Sequence, residues 1–97
     1  MKYLVTPEFS KKAVGLKSIF LPEMNKVFSI ITKSTKDELL ATRDLKINLL
    51  GSNVYVIAEV DLRIYFSFGS DEEGDYILLL DVTVRSKMVS GGSFFCC

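Results

Sequence analysis

A chain of 97 residues has room for one domain and not for two. Its twelve Lys/Arg against twelve Asp/Glu leave no net charge, which is not the strongly basic balance of a protein that grips nucleic acid through many phosphates. The absence of His, and two Cys that stand side by side at the end (Cys96, Cys97), argue against a zinc centre and against a disulfide framework.

The charge is unevenly spread. Residues 1–50 carry nine Lys/Arg and five Asp/Glu, a balance of +4, and residues 51–97 carry three and seven, a balance of −4. The apolar share, 48%, is high for so small a domain. It implies either a dense core or an apolar patch covered by a partner or a second copy, that is, a homo-oligomer. No apolar run approaches the ~20 residues of a membrane helix, so no membrane partner is expected. Met1-Lys-Tyr-Leu-Val-Thr-Pro7 lacks the features of a secretory leader, and the expected location is the cytoplasm.

In chain order, residues 2–5 read as a short strand. Thr6-Pro7-Glu8 is a helix start: a capping hydroxyl, a proline in the first turn and an acid near the positive end of the dipole. Phe9, Ala13, Leu16 and Phe20 continue at helical spacing, and Leu21-Pro22 breaks the run. Met24, Val27, Phe28 and Ile31 form a second helical stripe. Residues 34–42 read as a short third helix or a connector.

From Val54 the period becomes two, with Val54, Val56, Ala58, Val60, Leu62, Ile64, Phe66 and Phe68 apolar. One strand of that length is unusual, so a hairpin is expected. If both arms keep their even positions inward, the loop has three residues, Glu59-Val60-Asp61, with Ala58 facing Leu62 and Tyr55 facing Tyr65. Residues 69–75 are a polar turn. Tyr76 to Arg85 is the last strand, with Leu78, Leu80, Val82 and Val84 assigned to the core. Residues 1–87 thus make one domain and residues 88–97 a flexible tail.

The expected fold class is α+β, an N-terminal helical hairpin packed on one face of a small antiparallel sheet. The opposite face would display Tyr55, Glu59, Arg63, Tyr65, Asp81, Thr83 and Arg85. A register with Phe68 facing Tyr76 places Arg63 opposite Asp81 and Arg85 near Glu59. As plain structure these are exposed cross-strand ion pairs that contribute little. As function, two guanidinium groups on an open face meet phosphate oxygens through their planar forks. Tyr55 and Tyr65 either cover the sheet or offer rings on which a base stacks. Asp71-Glu72-Glu73 reads as a solvated loop tip. The Lys residues at 11, 12, 17, 26 and 33 mark the wet side of the helices, or a surface for an acidic partner.

The order of elements, and the strands Val54-Tyr-Val-Ile-Ala-Glu-Val-Asp-Leu-Arg-Ile-Tyr-Phe-Ser-Phe68 and Asp75-Tyr-Ile-Leu-Leu-Leu-Asp-Val-Thr-Val-Arg85, resemble the RelE/ParE superfamily of bacterial toxins over about residues 2–87. In that family a single Arg precedes alternating apolar and aromatic residues, as Arg63 does in Leu62-Arg-Ile-Tyr-Phe66, and a second basic residue ends the last strand, as Arg85 does. The resemblance implies the toxin of a toxin–antitoxin pair, with an antitoxin protein as partner. RelE-like members cut messenger RNA on the ribosome, using neither a metal nor a cofactor; ParE-like members inhibit a protein target, DNA gyrase.

For an RNase the resemblance implies Arg63 and Arg85 as stabilisers of phosphate charge, Tyr65, Glu59 or Lys87 as the group that moves protons, and Tyr55 and Lys87 as RNA contacts. Two departures stand out. The strand before Arg63 offers Tyr55, Ile57 and Glu59 where RelE-like RNases usually carry extra Lys or Arg, and the tail offers Phe94 and Phe95 where they often use Tyr or His. A small α+β interaction domain is the remaining alternative.

Overall fold

Thr6 organises the start of the chain. The computed structural model of the protein describes residues 1–16 and 20–84. In it, strand β1 (Lys2–Val5) runs into Thr6, whose extended backbone and side chain cap helix α1 (Pro7–Val14) by accepting the Phe9 N–H at 3.2 Å. The Thr6 hydroxyl also lies 3.0 and 3.1 Å from the carbonyl oxygens of Leu79 and Leu80, which ties the β1–α1 junction to the sheet.

α1 is shorter than its apolar spacing suggests. The N–H groups of Gly15 and Leu16 turn back to the carbonyls of Lys12 and Ala13, three residues behind, so the last turn tightens and the helix ends at Val14 instead of continuing to Phe20. Helix α2 (Leu21–Lys33) takes Leu21 as its first residue and Pro22 in its first turn, where a missing N–H removes no helix bond. Its Met24, Val27 and Ile31 are buried as expected. The 34–42 segment resolves as helix α3 (Lys36–Ala41), fixed by a capping box in which Thr35 accepts the Glu38 N–H and the Glu38 carboxylate accepts the Thr35 N–H.

Four further strands follow: β2 (Lys46–Gly51), β3 (Val54–Glu59), β4 (Leu62–Asp71) and β5 (Gly74–Val84). The sheet order is β1-β5-β4-β3-β2. The expected antiparallel sheet is in fact mixed, because β1 lies parallel to β5 while the other three pairings are antiparallel. β2 was not anticipated from the sequence.

Three register expectations are corrected. The β3–β4 turn has two residues, Val60 and Asp61, so Ala58 faces Arg63 and Tyr55 faces Phe66. β3 is apolar on both faces, so its alternation does not say which face turns inward; Ile57 does, with Tyr55 and Glu59 on its side. The β4–β5 ladder puts Arg63 opposite Thr83 and Tyr65 opposite Asp81. Finally, Leu80 is the extra residue of a bulge between Leu79 and Asp81, and it inverts the parity of β5. Ile77 and Leu79 therefore point into the core below the bulge and Val82 above it, where an unbroken even-numbered series was expected.

One core results. Phe9, Met24, Val27, Ile31 and Leu39 from the helices cluster with Ile57, Leu62, Ile64, Phe66, Ile77, Leu79 and Val82 from the sheet. Each large side chain buried there contributes about 1.5–3 kcal/mol. Asn53, with φ at 57°, closes the β2–β3 turn, and its side-chain amide both donates to the Phe68 carbonyl (2.8 Å) and accepts from the Phe68 N–H (3.2 Å). It supplies β4 with the hydrogen bonds that β3, starting at Val54, does not reach. Among the described residues no helix is long and apolar enough to cross a membrane.

Candidate functional site

The registers stack side chains into rows across the sheet. Lys46, Ala58, Arg63 and Thr83 occupy one row on β2, β3, β4 and β5, on the face turned away from Ile57 and Ile64. Asn48, Val56, Tyr65 and Asp81 occupy the next. Strands lie ~4.8 Å apart, so the backbones of Lys46 and Arg63 are roughly 10 Å apart with only the methyl group of Ala58 between them. Two long cationic side chains thus flank a shallow trough.

At the open end of that trough lies a pocket of about 360 Å³ lined by Arg43, Asp44, Lys46, Ala58, Glu59 and Arg63, with Leu45 and Val60 completing the wall. Arg43, Asp44 and Lys46 are exposed; Glu59 and Arg63 are half-buried. Arg63 Nη1 donates to the carbonyls of Val60 (2.9 Å) and Leu62 (3.0 Å), so one edge of the guanidinium fork braces its own turn. That turn is strained: Val60 sits at φ 55°, a region costly for a β-branched residue. The Glu59 carboxylate accepts from Lys26 Nζ of α2 at 2.9 Å, with only 15% of its side chain exposed. That hydrogen bond holds the Lys26 ammonium above its ordinary value.

Among the residues singled out by sequence, Arg63 and Glu59 line this pocket, but from opposite faces of the sheet: Glu59, expected on the open face, turns its side chain to the Ile57 side and to Lys26 of α2. Tyr65 lies one row away on the same open face. Tyr55 does not join them. Its ring stacks on Phe66 (5.4 Å) and meets Phe68 edge-on (5.1 Å), on the core side of the sheet. The ion pairs expected for the arginines are made by others: Lys12 holds Asp81 (2.9 Å) and Lys26 holds Glu59. The Lys12 ammonium keeps the Asp81 carboxyl below the usual carboxylate range. Arg85, Lys87 and the 88–97 tail lie outside the described residues.

Sequence reasoning missed Arg43 and Lys46. The signal for Lys46 is the alternation Lys46-Ile-Asn-Leu49, a short period-two run with its polar residues on one face. Comparison with protein-family models, with curated proteins and with solved structures returns no match.

Proposed function

We propose that this chain is the toxin of a bacterial toxin–antitoxin pair of the RelE/ParE kind, acting as a ribosome-dependent endoribonuclease on messenger RNA. The observation that carries the reading is the gathering of Arg63, Arg43 and Lys46 around one pocket at the end of an open sheet face. RNA cleavage by the ribose 2′-hydroxyl builds negative charge on a phosphate, and cations fixed beforehand around that phosphate stabilise it. Arg63 would bind it through the edge of its fork not used on the turn. Lys46 and Arg43 would hold the flanking phosphates, and Tyr65 would stack on a base. The two cations beyond Arg63 take the place of those that the β3 strand lacks.

The RelE/ParE-like arrangement, helices over one face of the sheet, is supported by the shared core of Phe9, Met24, Val27 and Ile31 with the sheet residues. A protein partner is supported by an apolar depression of about 310 Å³ bounded by Tyr3, Val5, Phe9, Val14, Leu21 and Phe28, in which Val14 and Leu21 are exposed. An antitoxin segment with an apolar stripe and acidic flanks would cover it and offset the +4 balance of residues 1–50.

A second reading, inhibition of a protein target without cleavage as in ParE, is favoured by the zero net charge and by Asp44 and Glu59 in the pocket. Induced expression in a bacterial host separates the two. Growth arrest with cut messages, abolished by Arg63→Ala in a chain that still folds, supports the RNase. Arrest with intact messages selects the second reading, and normal growth with folded protein sinks both.

A further inference from the structure

The sheet carries apolar residues on both faces, and the helices cover one of them. On the uncovered face Leu4, Leu78 and Ser67 form a row across β1, β5 and β4. Val56 and Tyr65 lie in the next row on one side. Tyr76 and Gly69 lie in the next row on the other, with the Tyr76 ring laid against Gly69. Leu4 is 44% exposed, and Leu78, Ser67, Tyr65 and Tyr76 are half-buried. A sheet face turned to water normally alternates to polar residues, and a contiguous apolar patch in its place marks an interaction surface.

The charges on this face select what covers it. Lys46 and Arg63 stand at one end, in a row that holds no acid. At the other end Asp71 and Glu73 share Lys2, whose Nζ lies 2.7 Å from each, and Glu72 adds a further acid at the hairpin tip. Arg63 and Asp71 are equally far from Ser67 along β4, about 13 Å on either side. We infer that the open face is the contact between two copies of this chain, stacked so that the cationic end of each lies on the acidic hairpin tip of the other. The two-fold axis runs across the strands at the Ser67 row. It sets Leu4 and Leu78 of one copy against the same residues of the second and brings each Arg63 to the other copy's Asp71. Packed sheets lie ~10 Å apart, a gap that an arginine and a carboxylate side chain bridge together. An axis along the strands would stack Arg63 on Arg63 and Asp71 on Asp71, and like charges across an interface repel. The shared face measures about 27 by 17 Å, on the order of 900 Å² counted over both copies, the size of a weak, exchanging interface. The pairing does not depend on the RNase reading. Within that reading it covers the trough of both copies, so the dimer is the idle form and RNA competes with the second copy.

The test is sedimentation equilibrium of the purified full chain over a range of concentrations, at low and at high salt. The wild type is expected to dimerise with a Kd of about 10–100 μM at low salt and to weaken about tenfold at high salt. Arg63→Asp and Asp71→Arg, each checked for folding by circular dichroism, are expected to stay monomeric alone. Mixed in equal amounts they are expected to form a heterodimer, because both contacts then join opposite charges again. A wild type that is monomeric at every concentration overturns the inference and leaves the face to a different protein. A dimer that neither single variant weakens overturns it as well, and so does a mixture that does not associate. Should a charge variant fail to fold, Leu4→Glu decides. At an exposed position of an edge strand it sets two carboxylates against each other at the axis, and a dimer left intact by it overturns the inference.

Discussion

Lys46 and Arg63 stand on either side of Ala58 in a single row across β2, β3 and β4. The small residue between them is what makes the row a trough. On the proposed RNase reading, Ala58→Glu puts a carboxylate between the two cations and is expected to weaken RNA binding by about 1–3 kcal/mol, roughly 5- to 150-fold. Ala58→Ser, which keeps the space and adds no charge, should bind like wild type. Anisotropy of a labelled oligoribonucleotide checks both; equal affinities for the two variants would show that phosphate is held elsewhere.

Asn53 does two jobs that separate by substitution. Its φ of 57° suits Asn or Gly, and its amide makes both hydrogen bonds to the Phe68 backbone. Asn53→Gly keeps the backbone conformation and loses the bonds, for a cost of about 1 kcal/mol. Asn53→Ala loses the bonds and adds backbone strain, for about 2 kcal/mol or more. Urea unfolding should rank wild type above Gly and Gly above Ala. A Gly variant as stable as wild type would remove the hydrogen bonds from the account.

Val60 carries the opposite expectation. It is 69% exposed, so little packing is lost on truncation, while its φ of 55° is relieved by glycine. Val60→Gly should stabilise the domain by about 0.5–1 kcal/mol, a rise of a few degrees in melting temperature. A lower melting temperature would mean that the Val60 side chain, and not its strain, matters in the fold.

The acid limb of stability follows from two carboxylates. The Lys12 ammonium holds Asp81 below the ordinary carboxylate range, and the Lys2 ammonium, with the Glu73 N–H, does the same for Asp71. A carboxyl whose folded value lies below its unfolded one, 3.8 here, contributes stability above that pH and loses it as pH falls through the folded value. Unfolding midpoints should therefore be level near neutrality and decline from about pH 4 downward. The decline should be shallower in Asp81→Asn, and it should weaken in high salt because both pairs are exposed. A variant with an unchanged slope would exclude the Lys12–Asp81 pair as a contributor.

Local chemistry was legible in the chain. Thr6-Pro7-Glu8 starts a helix because a hydroxyl, a fixed φ and an acid each act within one turn. Met24, Val27 and Ile31 recur at the helix period, so they had to share a face. Leu62, Ile64, Phe66 and Phe68 alternate in a strand that is polar on its other face, so their inward direction was readable. Arg63 could be placed on the open face for the same reason.

Everything that depends on what lies across the sheet was decided by the tertiary structure. β3 is apolar on both faces, so only its two-residue turn onto β4 settles that Ile57 and Tyr55 face the helices. The bulge at Leu80 changes the parity of a strand whose side chains are apolar on successive positions, where no local signal distinguishes in from out. β1 joins β5 in parallel from the far end of the chain, tied by the Thr6 hydroxyl to the carbonyls of Leu79 and Leu80. Arg43 and Lys46 meet Arg63 for the same reason: cross-sheet neighbours are set by hydrogen-bond registers between distant segments, while residue spacing along the chain reports only on the strand or helix to which each belongs.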